Sequence, residues 1–196
     1  MKAIAQGAEA VIYADAKSKE VRKVRIRKNY RLPQIDIKLR KERTKKEASI
    51  LHKLQRAGIN VPQLTKISEF DLEMEFLDGE KLRDYLEKTK DLEVCRKVGE
   101  QVAKMHSENI VHGDLTTSNM ILKSRTVFLI DFGLGDFSQR IEDKAVDLHI
   151  FKECLKSKHF GIWENAWKEF AEGYKNQEVI NRLKIVEARG RYKHAS

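Results

Sequence analysis

His112-Gly113-Asp114-Leu115-Thr116-Thr117-Ser118-Asn119, apolar runs at 120–122 and 127–130, then Asp131-Phe132-Gly133: residues 112–133 lay out a polar loop, two brief apolar segments and a second polar turn. Val127-Phe128-Leu129-Ile130 reads as a short buried strand, and Asp131 ends it. A carboxylate at the end of a buried strand is placed by the core yet left at its edge, where it can meet a hard divalent cation with oxygen. The patterning differs on the two sides of this stretch.

Toward the N-terminus, strand-like segments fall at 3–6, 11–14 and 21–26, with Gly7 and Lys17-Ser18-Lys19 as turns between them. A highly charged helix is expected over 36–57. Its apolar residues Leu39, Ala48, Ile50, Leu51 and Leu54 thicken toward the C-terminal half, and Gly58 marks its stop. Pro62 introduces two more strand candidates, 64–67 and 72–77, which end at Asp78-Gly79. Beyond Gly79 the pattern turns helical, with Leu92, Cys95, Val98, Val102 and Met105 at three- and four-residue spacing. After Gly133 the chain reads as helix to its end, and Trp163, Trp167, Phe170 and Tyr174 form an aromatic stripe that belongs to the core. Strands with one helix, followed mostly by helices, make an α+β order. The expected organisation is two small lobes, 1–77 and 78–196, with a seam near 77–79.

The 196 residues include 39 Lys and Arg against 30 Asp and Glu, a net charge of +9, which favours an anionic partner such as nucleotide phosphates or a nucleic-acid backbone. The basic residues concentrate at 22–31, at 38–46, and in the tail at Arg189, Arg191 and Lys193. Apolar runs are too short to span a membrane, and Gln6, Glu9 and Asp15 interrupt any leader-like opening. Cys95 and Cys154 lack partners at metal-ligand spacing and read as reduced, half-buried residues of a cytoplasmic protein. No internal repeat is present.

Phosphoryl transfer from ATP needs a divalent metal held on the phosphates, a cation beside them, and a carboxylate aimed at the nucleophile. Residues 112–119 resemble the kinase catalytic loop H-R-D-L-x-x-x-N with Gly in place of Arg. In that reading Asp114 is the catalytic aspartate, and Asn119 and Asp131 are the Mg²⁺ ligands. Asp-x-x-x-x-Asn or Asp-Phe-Gly alone is ordinary loop composition; both together, at this spacing, form a specific signal. The phosphate lysine is Lys23 or Lys28, with Val21 as an apolar ceiling on the same strand face as Lys23. Its helix partner is Glu47 or Glu42. Gln6-Gly7-Ala8-Glu9-Ala10 stands where a glycine-rich loop belongs, and Glu9 is expected to bond another loop or face solvent. Met74-Glu75-Phe76 forms the hinge that would meet an adenine edge, and Asp147 braces the catalytic loop. Between Gly133 and Asp143 there is no Ala-Pro-Glu and no space for a peptide-docking activation segment.

These residues together resemble one family, the small atypical kinase of the KEOPS (EKC) complex, related to the RIO kinases. The resemblance rests on Gln6-Gly7-Ala8-Glu9-Ala10, Lys23-x-Arg25-x-x-Lys28-x-Tyr30-Arg31-x-Pro33, Arg43-Thr44-x-x-Glu47-Ala48 and Gly58-Ile59-x-Val61-Pro62. It continues through Met74-Glu75-Phe76, residues 112–119, Asp131-Phe132-Gly133-Leu134, Glu142-Asp143-Lys144-Ala145-Val146-Asp147-Leu148 and Arg189-Gly190-Arg191. It implies a minimal bilobal protein kinase-like fold without an extended activation segment, with Lys23 as phosphate lysine and Glu47 as its partner. It further implies ATP and Mg²⁺ as ligands, autophosphorylation on serine, and ATPase action in a complex that makes threonylcarbamoyl-adenosine on tRNA. The implied partners are the metal-containing synthase subunit, whose contact suppresses the kinase activity, a further small KEOPS subunit, and tRNA, which would meet Lys28, Tyr30, Arg31, Arg191 and Lys193. Two departures bear on tRNA: position 32 is Leu where many relatives carry His, and the tail stops soon after Arg191. A non-catalytic tRNA-binding scaffold with a vestigial nucleotide pocket is the alternative, and a small-molecule phosphotransferase is a third.

Overall fold

The structure, a computed structural model, describes residues 1–7, 9–15, 17 and 19–192. Ala8, Ser18, Lys193 and the side chain of Arg191 lie outside the described residues. The short alternating segments form β1 (Lys2–Gln6), β2 (Ala10–Asp15) and β3 (Glu20–Arg25), and after helix α1 (Pro33–Arg56) come β4 (Leu64–Ile67) and β5 (Asp71–Glu75). Among the described residues they make one five-stranded antiparallel sheet in the order β1-β2-β3-β5-β4. Lys23 on the central strand pairs with Ile12 on one side and Leu72 on the other. Strand periodicity then puts Val21, Lys23 and Arg25 on a common face.

Helix α1 begins at Pro33, three residues before the expected start, because proline in the first turn forfeits only an N–H that has no intrahelical partner. Its end follows the expectation. Gly58 takes φ +70°, its N–H bonds the Gln55 carbonyl, and the Ile59 N–H reaches back to Leu54, which closes the helix in a Schellman turn. The last strand of the sheet stops at Glu75, short of residue 77.

The rest of the chain holds β6 (Glu80–Lys81), α2 (Leu82–Thr89), α3 (Glu93–Ser107), β7 (Ile110–Val111), a 3₁₀ turn (Thr117–Asn119), β8 (Met120–Lys123) and β9 (Thr126–Leu129). Then come β10 (Asp136–Phe137), α4 (Ile141–Lys158), α5 (Trp163–Tyr174) and α6 (Gln177–Tyr192). The all-helical reading after Gly133 therefore needs correction, since β10 intervenes and pairs with β7. Strands β8 and β9 form a hairpin whose two turn residues, Ser124 and Arg125, both have positive φ (49° and 61°), as a two-residue hairpin of this twist requires.

Val94, Cys95, Val98, Val102 and Met105 line the buried side of α3 and belong to one apolar cluster with Ile50, Leu51 and Leu54 of α1 and Phe151 and Phe170 of α4 and α5. Helices α3 and α5 touch backbone to backbone: a Cβ on Gly99 would lie 2.1 Å from the Phe170 carbonyl, and one on Gly173 would lie 2.0 Å from that of Arg96. Phe170 and Tyr174 are buried as expected of the aromatic stripe. Trp163 and Trp167 are half-buried, with the Lys156 and Lys152 ammonium groups over their rings at 5.4 and 5.2 Å. Both cysteines are free and buried, and burial pushes the Cys95 thiol up to about 12, so it is an inert hydrophobe. Among the described residues no helix is long and apolar enough to cross a membrane.

Candidate active site

A cleft of about 200 Å³ opens between the five-stranded sheet and the β8–β9 hairpin. Ile4, Ile12, Val21, Met74, Ile121 and Ile130 supply much of its apolar wall, and Lys23, Glu47 and Asp131 line it as charged groups. Lys23 is 7% exposed and Glu47 2%, and their Nζ–Oε1 distance is 2.6 Å. The same Nζ donates to Asp131 Oδ1 at 2.6 Å. Burial alone would lower the pKa of the Lys23 ammonium, but the facing carboxylates of Glu47 and Asp131 outweigh it and hold the group above its ordinary range. Burial would likewise raise the Asp131 carboxyl, and the adjacent Lys23 charge overrides it and holds the acid below its ordinary range. Of the candidates, it is Lys23 and Glu47 that the structure brings together at the cleft. Glu42 lies on the exposed side of α1 with Lys38 4.0 Å away, and the Lys28 backbone N–H caps Asp36.

Asp131 adopts φ +61°, a left-handed conformation that Asp tolerates better than most residues. The hairpin explains how it comes to lie beside the other polar loop. Its β8 strand starts just after Asn119 and its β9 strand ends just before Ile130, so the Ile130 N–H bonds the Asn119 carbonyl at 3.0 Å. His112 Nε2 also contacts the Ile130 carbonyl at 3.0 Å, and its ring lies against Phe132. Asn119 Nδ2 donates to Asp114 Oδ2 at 2.8 Å and to the Asp114 carbonyl at 2.9 Å. With Nδ2 so engaged, Asn119 has its amide oxygen to offer a cation.

Asp147 on α4 holds the loop from below. Its two carboxylate oxygens accept the backbone N–H groups of His112 (2.5 Å) and Gly113 (2.8 Å). His106 reaches the same carboxylate with Nε2 at 3.2 Å while its Nδ1 meets the Tyr174 hydroxyl at 2.7 Å. Burial lowers the His106 pKa more than Asp147 raises it, so the imidazole stays neutral, donating from Nε2 and accepting from Tyr174. Gly113 fills the position where the resembled loop has Arg. Its φ is +77°, and a Cβ there would lie 2.3 Å from the Leu134 carbonyl, so only glycine lets residues 131–135 fold back over the loop.

The structure brings Lys23, Glu47 and Asp131 into direct contact, and Val21, Met74, Glu75 and Phe76 line the same cleft. Gln6, Gly7, Glu9 and Ala10 form the turn beyond its wall, closed by a Gly7 N–H to Ala10 carbonyl bond of 2.9 Å, and Ala8 lies outside the described residues. Glu9 bonds away from the cleft, to Arg43 at 2.7 Å and Arg31 at 3.4 Å. Beyond the residues expected from sequence, the structure adds Ile4, Ile12, Ile121 and Ile130 to the cleft wall, and Arg25, which donates to Glu47 Oε2 at 2.5 Å. Two-residue spacing from Lys23 on a strand was the available signal for Arg25.

Residues 9–147 match the sequence profile of the RIO domain. The chain is 44% identical to the KEOPS complex subunit Bud32 of Pyrococcus abyssi, over 100% of its own length and 98% of that protein. The chain belongs to the RIO-domain family, in its Bud32 branch. It is also 38% identical to a probable bifunctional tRNA threonylcarbamoyladenosine biosynthesis protein of Methanothermobacter thermautotrophicus, over 96% of this chain and only 36% of that protein. In fold, this Bud32 relative matches the Rio2 kinase from Chaetomium thermophilum with a TM-score of 0.66 at 18% identity, covering 97% of this chain and 71% of the other. The ADP/Mg²⁺-phosphoaspartate complex of that kinase matches at 0.61 and 15% identity, over 96% and 70% of the two chains. The expected α+β, kinase-like architecture is therefore the architecture found.

Proposed function

We propose that this protein is an ATP-dependent phosphotransferase and ATPase that serves as the kinase subunit of a KEOPS-type complex in threonylcarbamoyl-adenosine modification of tRNA. The observation that carries the reading is the cleft itself: apolar walls lead to a lysine shared by two carboxylates, one of which ends a buried strand. Adenine suits the apolar part, with the backbone of Met74, Glu75 and Phe76 at its edge. Lys23 is the cation for the phosphates, and Glu47 positions it. The hard oxygen donors of Asp131 and Asn119 fit Mg²⁺, which when bound neutralises phosphate charge. Asp114, held by the Asn119 amide, accepts the proton of the incoming nucleophile. Residues 1–77 and 78–196 act as the two lobes around this cleft. Gln6, Gly7, Glu9 and Ala10 are the candidate cover for the phosphates.

Relatives named for KEOPS and for tRNA threonylcarbamoyladenosine biosynthesis support a place in such a complex; on this reading the partners are the metal-containing synthase subunit, a further small KEOPS subunit and tRNA, and the site of action is the cytoplasm. Autophosphorylation on serine is the expected behaviour of the isolated protein. The test is Mg²⁺-dependent ATP hydrolysis by wild type and Asp131→Ala, alone and with the synthase subunit, with and without tRNA. Stimulation by partner and tRNA that is lost in the variant supports the reading. A folded protein that binds tRNA but hydrolyses nothing under any condition supports the non-catalytic scaffold instead.

A further inference from the structure

Arg25 lies two residues beyond Lys23 on β3, on the strand face that α1 covers, and is 4% exposed. Its Nη2 donates to Glu47 Oε2 at 2.5 Å and to the Arg43 carbonyl at 3.4 Å. Lys23 holds the other Glu47 oxygen and Asp131, each at 2.6 Å. Two cations thus alternate with two anions in a chain Arg25–Glu47–Lys23–Asp131. A Cβ placed on Gly133 would be 3.4 Å from Lys23 Nζ and 3.8 Å from Arg25 Nη2, so both cations lie against the Asp-Phe-Gly turn.

An ordinary lysine–glutamate pair would serve this cleft poorly. Glu47 is 2% exposed, and a carboxylate so buried with one cationic partner holds that partner tightly, because losing it leaves an uncompensated charge in a dry site. A lysine that must turn toward phosphate oxygens would then be pulled back. Arg25 removes the conflict. Its guanidinium cannot be deprotonated, and it keeps Glu47 neutralised whatever Lys23 does. It also ties Glu47, and with it α1, to the central strand. That matters here because Ser138, Gln139 and Arg140 are all that separates β10 from α4, so no long activation segment is present to position the helix.

We propose that Arg25 is a positioning residue that holds the second oxygen of Glu47, fixes α1 against β3 and so leaves Lys23 free to engage a nucleotide's phosphates. This rests on the nucleotide reading of the cleft. Calorimetric titration of wild type, Arg25→Met and the more conservative Arg25→Gln with MgATP and, separately, with adenosine distinguishes the two levels. Adenosine uses the apolar wall without asking anything of Lys23. Both variants are expected to bind MgATP about tenfold more weakly and adenosine as wild type does, since a fraction of the cost of an unpaired buried carboxylate suffices for that change. Adding Glu47→Gln to Arg25→Met removes the unpaired charge, and the double variant is expected to bind MgATP no more weakly than Arg25→Met. Arg25→Gln carries the test if Arg25→Met does not fold. Variants that melt earlier but bind MgATP as wild type does would show a purely structural residue and overturn the proposal, as would equal weakening of MgATP and adenosine. A wild type that binds neither ligand overturns the nucleotide reading, and this inference with it.

Discussion

Two buried polar networks flank the Asp114 loop, and they are built differently. The cleft network, Arg25–Glu47–Lys23–Asp131, consists of formal charges on β3, α1 and the turn after β9, and ends at an aspartate whose side chain is 44% exposed. The network below the loop, Tyr174–His106–Asp147, is sealed, its imidazole kept neutral, and its carboxylate spent on backbone N–H groups of His112 and Gly113. The first can exchange partners, because Lys23 has three donors and two carboxylates to choose between. The second has each oxygen of Asp147 committed, and fixes a backbone. The difference teaches where this small fold keeps adaptability and where it keeps rigidity: charge that can change partners faces the cleft, and a static brace lies beneath it.

The contrast breaks most visibly at Lys23. Lys23→Met is expected to lower Mg²⁺-dependent ATP turnover by about 10³-fold, while thermal unfolding shows a smaller loss of stability than Asp147→Ala, because Arg25 still neutralises Glu47. Equal and large losses of stability would erase the distinction. Asp147→Ala is expected to cost about 3 kcal/mol in chemical denaturation, since it strands the buried His112 N–H, the part-buried Gly113 N–H and His106 together. Tyr174→Phe, which removes only the hydroxyl donor to His106, is expected to cost about 1 kcal/mol and to leave the KM for ATP unchanged. A shifted KM would mean that the brace communicates with the cleft.

Acid should separate the networks more gently. The unfolded His106 imidazole takes a proton near its ordinary 6.5, whereas burial holds the folded group's pKa lower. The unfolded state therefore binds more protons as pH falls through 6.5 toward the folded value, and stability declines over that window. His159, also lowered first by burial, adds in the same direction. Asp131 keeps its charge down past the ordinary carboxylate value of 3.8, so the cleft pair is lost only in stronger acid. Denaturation curves collected across this range should lose part of their slope with pH in His106→Gln. An unchanged slope would remove His106 as the cause.

Much of the site was legible in the sequence because its residues sit in a fixed order beside short apolar runs. The candidates Asp114, Asn119, Asp131 and Asp147 came from that order, the family pattern preferred Lys23 and Glu47 among their rivals, and the structure then put those two in contact. Arg25 was hidden by the surplus of basic residues around it, since nothing in composition tells a buried guanidinium from a solvated one. Helix α2 was read only as part of the helical stretch beyond Gly79 and not as an element of its own, because only Leu82 and Leu86 mark its buried face among charged neighbours. The meeting of α3 and α5 through Gly99 and Gly173 was equally invisible, because a glycine inside a helix shows tolerance of close approach without naming what approaches. Ile4 and Ile12 line the cleft for a reason visible only once the sheet is assembled: Ala5 pairs with Ile12, and a register irregularity between Ala3 and Ala5 brings Ile4 to the same space.

The central claim is that the cleft between the sheet and the hairpin is a Mg²⁺-dependent ATP site built on Lys23 and Asp131. Isothermal titration of ATP into the wild type, Lys23→Met and Asp131→Ala, with Mg²⁺ and with EDTA, tests it most directly. Saturable binding by the wild type that weakens with EDTA and in both variants is the predicted result. Binding by folded variants that equals the wild type's and ignores EDTA would contradict it.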